Sequence, residues 1–220
     1  RKRTMNPMTR ILLTAFLAIT VAIGAGVYFS TRDGGSAPTS QAEGGPQVVR
    51  ENSHRLSSAP DSDVTFVEFL DFECEGCRAA FPAVEQLRTQ YGQQVNFVAR
   101  YFPMPGHFNG ERAARAVEAA AQQGQFEAMY KKMFETQDQW GEKQVPADDV
   151  FRGFATELGL DMAAWDEAYN AQATLDRIQE DVADGTALGV QGTPTFFIDG
   201  EQIPVQRPDD LRRALDAALR

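Results

Sequence analysis

Cysteine and histidine are scarce in this sequence. Its 220 residues contain two of each, Cys74, Cys77, His54 and His107. A structural zinc site usually needs four such ligands, and neither histidine lies at a spacing typical of a zinc finger. We therefore expect no structural metal site, and any cysteine chemistry must come from one pair that lies three residues apart.

Basic residues are too few to predict a nucleic-acid surface. The net charge is −10, and residues 46–220 combine 16 Lys and Arg with 29 Asp and Glu. Because phosphate contacts need a basic face, we expect no nucleic-acid partner. The hydrophobic fraction of 43% permits a sizeable core, and the acidic surface is interpreted as a solubility feature.

Charge is absent between Arg10 and Arg32. Residues 11–29 in that gap read ILLTAFLAITVAIGAGVYF, about the length with which a helix crosses the hydrocarbon core of a bilayer. The basic residues precede this run, so the positive-inside rule predicts a cytoplasmic tail at residues 1–10 and an extracytoplasmic body. The pattern indicates a single-pass signal-anchor.

A cleaved signal peptide is the alternative interpretation of this segment. Its apolar core would usually be shorter, and a cleavage site needs small residues, whereas Tyr28 and Phe29 follow Gly26 closely. Residues 30–45 are rich in Gly, Ser and Pro and predict a flexible linker. A body at residues 46–220 would then work close to the membrane.

The body has the pattern of an α/β fold, because runs of β-branched and aromatic residues alternate with helical periodicity. A strand, a helix and a second strand follow one another first, which predicts parallel strands joined by a right-handed crossover. The predicted elements are a short strand at Gln47–Arg50, a strand at Val64–Phe72, a helix from about Cys77 to Tyr91, a strand at Val95–Tyr101, a helical insertion at about 107–187, a hairpin at Thr195–Val205 and a helix at Pro208–Leu219.

The stretch DFECEGC places both cysteines where the first strong strand gives way to a helix. Three interpretations of the pair remain. A structural disulfide would close a very small loop and restrict the unfolded chain little. Two unrelated thiols would be at risk of oxidation outside the cytoplasm. The third interpretation is a redox-active pair.

The position of the pair favours the redox interpretation. Cys74 lies at the predicted helix N-terminus, where unpaired N–H groups and the helix dipole stabilise a thiolate. Cys77 follows one turn later and could resolve a mixed disulfide, while Gly76 eases the tight turn. Far downstream, Thr193-Pro194 comes immediately before a strand, and alone it indicates only a turn leading into that strand.

These motifs together resemble a known family. The passage FLDFECEGC, Pro82 five residues after Cys77, and the later GTPTFFIDG resemble a thioredoxin-fold protein. The long helical block and the run RYFPMPGHFNGERAARAVEAAAQQGQF resemble the DsbA-like thiol–disulfide oxidoreductases. The resemblance covers roughly residues 47–219 and implies a thioredoxin-like fold with an inserted helical subdomain.

The resemblance implies a role for several residues. Cys74 would be the exposed nucleophile and Cys77 its buried partner. Pro194 would be a cis-proline facing the cysteines, and the backbone of Thr193 would pair with an extended substrate. Glu68 lies where the fold commonly carries a buried acid, which could move a proton for Cys77; the alternative is a glutamate that reaches the rim or pairs with an arginine.

The sequence departs from the family between the cysteines. Strongly oxidising relatives often have a histidine there, whereas this chain has Glu75-Gly76. Asp71 and Glu73 add further negative charge beside Cys74, and like charge disfavours a thiolate. We therefore expect a redox potential that is less oxidising than that of the strongest oxidants in the family.

The resemblance leads to an expected function. The chain would introduce disulfides into secreted or cell-envelope proteins, as a monomer whose only cofactor is the Cys74–Cys77 disulfide, and a membrane redox partner would reoxidise it. A reductase or isomerase, a redox-inactive peptide-binding protein on the same scaffold and a metal-delivery protein stay open as alternatives. His107 lies in a loop before a helix, where it could approach the active site, but a histidine in a surface loop is the preferred interpretation.

Overall fold

The computed structural model describes residues 45–207 and 209–220. The predicted cytoplasmic tail, the predicted anchor at residues 11–29 and nearly all of the predicted linker lie outside the described residues. Among the helices of the described part, none is both long enough and apolar enough to cross a bilayer.

The described residues form a mixed five-stranded sheet with the spatial order β1-β3-β2-β4-β5. β2 and β3 are parallel, as the β-α-β pattern predicts, and every other neighbouring pair is antiparallel. The strands are β1 (His54–Arg55), β2 (Thr65–Leu70), β3 (Asn96–Tyr101), β4 (Thr195–Ile198) and β5 (Glu201–Ile203).

Helices fill the remainder of the described chain. Helix α1 connects β2 to β3, and residues 102–194, all of them described, form six helices and no strand. The helices are α1 (Glu75–Tyr91), α2 (Gly110–Ala121), α3 (Phe126–Glu135), α4 (Gln137–Trp140), α5 (Asp148–Glu157), α6 (Met162–Asn170), α7 (Gln172–Ala187) and α8 (Asp210–Ala218).

The apolar side of α3 belongs to the core. Met129, Tyr130 and Met133 are fully buried and Phe134 is 2% exposed. The Phe134 ring packs against Phe72, which follows β2, with ring centroids 5.2 Å apart. This side of the helix therefore fixes the helical insertion against the strand that leads into the cysteines.

Helix α7 packs very closely on the sheet because Gly185 has no side chain. A Cβ atom there would lie 2.8 Å from ring atoms of Phe102 and 3.0 Å from the ring of Phe69. Such distances are well inside van der Waals contact, so a larger residue at this position would push the helix away from the sheet.

A buried cluster of charges joins the start of the body to this layer. Arg100 on β3 is 0% exposed and lies 2.6 Å from both Asp181 and Asp184 of α7. Its guanidinium also donates to the carbonyl oxygens of Gln47 and Val48. The strand predicted at 47–50 is wrong for this reason: these described residues direct backbone groups toward charged side chains instead of a neighbouring strand.

The hairpin predicted near the C-terminus is confirmed. Asp199 and Gly200 form the turn between β4 and β5 with φ angles of 50° and 85°. Positive φ at both central positions is the two-residue turn that matches the twist of the strands, and Asp-Gly favours it. β4 pairs with β2 on its other side, so the residues just before β4 reach the end of the sheet where β2 leads into α1.

Candidate active site

Cys74 and Cys77 lie at the junction of β2 and α1. Cys74 is the residue that precedes the helix, with extended backbone angles of −68° and 121°, and it is half-buried. Cys77 lies in the first turn and is fully buried. The sulfur atoms are unbonded, so the structure represents the dithiol form. The helix continues without interruption through Pro82.

The segment that precedes β4 closes over the first cysteine. The Thr193–Pro194 peptide bond is cis, and Cys74 Sγ lies 3.2 Å from the carbonyl oxygen of Thr193. Gly76 lies against the same segment, since a Cβ atom there would be 3.3 Å from Pro194 Cδ and 3.5 Å from Cys74 Sγ. The fold therefore brings together two motifs that lie more than a hundred residues apart in the chain.

The environment of Cys74 favours its thiolate. A hydrogen bond from the Cys77 thiol contributes most, and the backbone N–H groups of Gly76 and Cys77 assist it. Together they outweigh partial burial and lower the pKa of Cys74 to about 5. Cys74 is therefore ionised at neutral pH when the pair is reduced, and the thiolate is the reactive form of cysteine.

Burial acts in the opposite direction on two neighbouring groups. It raises the pKa of the Cys77 thiol strongly, and the hydrogen bond to Cys74 and the charge of Glu68 raise it further. Glu68 on β2 is 3% exposed. Burial, followed by the charges of Cys74 and Glu85, raises its pKa to about 8. The site thus combines the Cys74 thiolate with a protonated Cys77 thiol and a protonated Glu68 carboxyl group.

The acidic residues beside Cys74 are not arranged as the sequence analysis assumes. Asp71 and Glu73 are each 1% exposed, and both carboxylates accept backbone N–H groups from the segment that follows β3. Asp71 accepts from Met104 at 2.7 Å, and Glu73 accepts from Asn109 at 2.5 Å. These donors bond both buried carboxylates, but at Glu73 burial outweighs them and raises its pKa, and only Glu75 remains exposed to solvent.

The structure favours the alternative position of His107, close to the active site. Its side chain is 24% exposed, and its Nδ1 lies 2.5 Å from Asp71 Oδ2, so the ring belongs to the active-site region. A signal for this was available, because β2 and β3 are parallel neighbours and their C-terminal ends lie at the same edge of the sheet. The segments that follow them, with Asp71 in one and His107 in the other, must therefore lie close together.

Two buried amides hold this region, and sequence reasoning missed both. Gln137 donates to the carbonyl oxygens of Phe72 and Cys74, at 2.7 and 3.0 Å. Asn109 is fully buried, and its side chain bonds the backbone of residues 140–147 through several contacts, the shortest of which is 3.0 Å to the Val145 carbonyl oxygen. Asn109 lies in the run that resembles the DsbA-like family, but nothing in that pattern indicates that its side chain is buried, and Gln137 lies in no quoted motif.

A groove of about 530 Å³ runs beside the cysteines on the exposed side of α1. Its walls come from the first turns of α1 and from the segment around α4, and Glu75, which lies between the two cysteines in the chain, forms part of one wall. The lining residues are Glu75, Arg78, Ala79, Pro82, Gln137, Asp138, Gly141 and Glu142. Among the described residues, no group of His, Cys, Asp or Glu side chains is arranged to hold a metal ion.

Comparison with known proteins identifies the family. The family model described as thioredoxin matches residues 53–217, which is most of the chain. The chain belongs to the thioredoxin family. The match includes both cysteines, Glu68 and the Thr193-Pro194 segment.

The solved structures similar to this chain include DsbA-like oxidoreductases, which agrees with the resemblance seen in the sequence. A thioredoxin-like oxidoreductase from Silicibacter pomeroyi DSS-3 has 30% sequence identity and a TM-score of 0.65, over 77% of this chain and 93% of that one. BdbD from Bacillus subtilis, in its oxidised form, has a TM-score of 0.66 over 80% of this chain and 96% of that one. Its identity is 19%, so this likeness concerns the fold alone.

Curated relatives have a different overall organisation. A protein named Na⁺/H⁺ antiporter NhaA from Herminiimonas arsenicoxydans is 34% identical over 158 residues, which is 72% of this chain and 24% of the relative. An antiporter NhaA 3 from Salinispora tropica is 37% identical over 143 residues, 64% of this chain and 21% of the relative. The chain therefore spans about a quarter of the length of these relatives.

Proposed function

We propose that the chain is a thiol–disulfide oxidoreductase that uses Cys74 and Cys77 as its redox pair. One observation carries this proposal: a half-exposed sulfur with a pKa lowered to about 5 lies next to a fully buried thiol. Two inert structural thiols would not need this asymmetry. Family membership and the likeness to DsbA-like structures support the same activity.

The exchange proceeds in two steps. A substrate thiolate attacks Cys74 Sγ of the Cys74–Cys77 disulfide and forms a mixed disulfide, while Cys77 leaves as a thiolate and takes up a proton. Glu68, with its pKa raised to about 8, is the proposed source of that proton. A second substrate thiolate then attacks the substrate sulfur of the mixed disulfide and releases Cys74 as a thiolate. The substrate gains a disulfide, and the enzyme is left reduced.

The substrate would lie across the Thr193–Pro194 segment. The Thr193 carbonyl oxygen lies 3.2 Å from Cys74 Sγ, so an extended peptide that pairs with the Thr193 backbone would bring its own cysteine to that sulfur. The absence of a side chain at Gly76 keeps the approach open, because a Cβ there would contact both Pro194 and Cys74.

Oxidation of substrate thiols is the proposed direction. A thiolate that is strongly stabilised in the enzyme favours the reduced form of the pair, and a pair that is easily reduced is an oxidant. The lowered pKa of Cys74 supports this direction over a reductase or isomerase. The exposed carboxylate of Glu75 keeps the proposed potential below that of the most oxidising relatives.

An extracytoplasmic location, a tether formed by residues 11–29, a membrane partner that reoxidises the pair and a monomeric state complete the proposal. Two observations support the tether and the location: the uncharged N-terminal run and the likeness to a periplasmic thioredoxin-like protein from Salmonella enterica serovar Typhimurium. A disulfide donor would also need an oxidising compartment.

Trapping of the mixed disulfide tests the proposal. The Cys77→Ser variant of the full chain keeps the Cys74 thiolate, which can attack a disulfide of an envelope protein and form the same mixed disulfide in the reverse direction. The variant lacks the Cys77 thiol that would displace the bound protein, so it should accumulate mixed disulfides that non-reducing gels resolve. The matched Cys74→Ser variant should trap none. If Cys77→Ser traps no protein, and the oxidised wild type does not oxidise a reduced, unfolded test protein, the redox proposal is wrong and a peptide-binding scaffold is favoured.

A further inference from the structure

Asp71 and His107 form a pair with an unusual position in the fold. The Asp71 carboxylate is 1% exposed. Its Oδ2 lies 2.5 Å from His107 Nδ1 and accepts the Met104 N–H at 2.7 Å, while Oδ1 accepts the Glu73 N–H at 2.8 Å. These partners fix the carboxylate completely, so the imidazole ring is held in one orientation beside it.

The fold leaves room for this pair. A Cβ atom on Gly110, at the start of α2, would lie 3.0 and 3.1 Å from the two carboxylate oxygens of Asp71 and 3.2 Å from His107 Cβ. These distances are tighter than ordinary contacts. The first turn of α2 can therefore cover the pair only because a glycine stands there.

The same aspartate contacts both cysteines through its backbone. The Asp71 carbonyl oxygen accepts the Cys74 N–H at 3.1 Å, and the Asp71 N–H donates to Cys77 Sγ at 3.5 Å. One residue thus connects the histidine to the redox pair, and movement of the Asp71 carboxylate would shift the turn that carries both sulfur atoms.

The charges that face His107 are mostly negative. Burial lowers its pKa, but the hydrogen bond to Asp71 and the charges of Asp71, Cys74 and Glu73 together raise it above its ordinary value. On α2, which covers the pair, Arg112 is directed toward the Phe108 carbonyl oxygen and Asp148, and Glu111 pairs with Arg115. Charge on the Cys74 sulfur is therefore one of the influences on this histidine.

We propose that the Asp71–His107 pair is a proton-linked positioning element of the redox site, in which His107 holds its proton more firmly when Cys74 is a thiolate than when Cys74 is in the disulfide. This inference rests on the proposed function, since it assigns a role in the same reaction. The linkage is reciprocal, so protonated His107 stabilises the Cys74 thiolate and makes the oxidised pair easier to reduce.

The proton balance of the reaction shows what the pair contributes. Two substrate thiols lose two electrons and two protons when they form a disulfide. The enzyme disulfide accepts both electrons, and one proton remains on Cys77. The second proton is not needed by Cys74, which stays a thiolate. In part of the protein population His107 takes up this proton, and otherwise it is released to water.

The presence of two histidines in the chain makes a direct test possible. Proton NMR of the full chain gives ring signals from His54 and His107, which a His54→Gln variant assigns. Each signal is titrated with pH in the protein oxidised by ferricyanide and in the protein reduced by dithiothreitol. We expect the His107 midpoint to be higher in the reduced protein by about half a unit to one unit.

The ring of His54 is the internal control, because it is hydrogen-bonded to Glu118 rather than to the redox site. A change common to both histidines would be global and would overturn the inference, as would a His107 midpoint that is the same in both redox states. Because both forms are prepared chemically, the test does not depend on substrate turnover. Failure of the proposed function and failure of this coupling are thus distinguishable.

Two substitutions separate the charge of the histidine from its structural role. His107→Gln can still donate to Asp71 but carries no charge. The pKa of Cys74, followed by its thiolate absorbance, should therefore rise by about half a unit to one unit, which is an ionisation constant about 3- to 10-fold smaller. His107→Lys restores a positive charge and should restore the Cys74 titration. If the glutamine and lysine variants give the same Cys74 titration, the role of His107 is structural and the inference is wrong.

Discussion

Replacement of Glu68 by glutamine should make the protein more stable at neutral pH, by an amount that grows with pH. Glu68 is 3% exposed, and burial is the largest cause of its raised pKa of about 8, compared with 4.5 for an ordinary glutamate. Between these two values the unfolded chain ionises at this position while the native protein keeps the proton. The native state thus binds more protons than the unfolded state, and wild-type stability falls as pH rises through this window.

The magnitude follows from the same two values. Each pH unit contributes about 1.4 kcal/mol, so the loss reaches about 3 kcal/mol at pH 7 and levels off near 5 kcal/mol above pH 8. Glu68→Gln keeps the shape of the side chain and has no such loss. The difference in unfolding free energy between variant and wild type should therefore be smallest near pH 4.5 and should increase by these amounts toward pH 8.

Urea unfolding of the reduced proteins at pH 5, 6, 7 and 8 measures this difference. The titration of Cys74 occurs in both proteins and cancels. Glu167→Gln, at an exposed position on α6, is the matched control and should differ from wild type by the same small amount at every pH. Parallel curves for Glu68→Gln and wild type would refute the reasoning, because they would mean that Glu68 is ionised in the native protein.

Two other predictions concern the redox pair and the core. The rate at which iodoacetamide alkylates reduced Cys74 should rise with pH around a midpoint near pH 5. Cys77→Ala should raise that midpoint because the largest stabilising hydrogen bond is lost, and Cys77→Ser should raise it less because a hydroxyl can still donate. Identical midpoints in all three proteins would contradict the assigned cause. Arg100→Met leaves two buried aspartates without this partner and should lower the unfolding free energy by about 3 kcal/mol in urea titrations. The control Arg152→Met removes one partner of an exposed pair and should have little effect. Similar losses in both variants would show that burial of the ion pair is unimportant.

The parts of the fold that depend on local patterns were predictable from the sequence. The β-α-β unit follows from alternating apolar runs, and the hairpin follows from Asp199-Gly200, because both residue types tolerate positive φ. The short strand predicted at 47–50 failed, because its backbone groups bond to Asp184 and Arg100, which lie far away in the chain. No local pattern carries that information.

The candidate site shows the same division. The position of Cys74 at a helix start could be read from spacing. The burial of Glu68 was implied only by the family resemblance, because both faces of β2 are buried and alternation does not distinguish them. The contacts that support them join distant segments, as Gln137 does when it donates to the Phe72 carbonyl oxygen 65 residues away. His107 was misplaced for this reason, although the parallel arrangement of β2 and β3 already implied that the segments after them meet.

The buried side chain of Asn109 has a consequence for the groove beside the cysteines. Gly141 and Glu142 line the groove, and they begin a stretch, residues 141–147, that contains no helix or strand. The Asn109 side chain bonds main-chain atoms of this stretch at Lys143, Val145 and Ala147, and Glu73 accepts the Glu142 N–H. The exposed side chains of Lys143 and Gln144 are therefore free to vary while the path of the chain is kept, whereas Glu142, with a φ of 55°, suits only residues that tolerate positive φ. Other peptide sequences could be grafted into this stretch to change which substrate proteins bind, without altering the disulfide exchange at the cysteines.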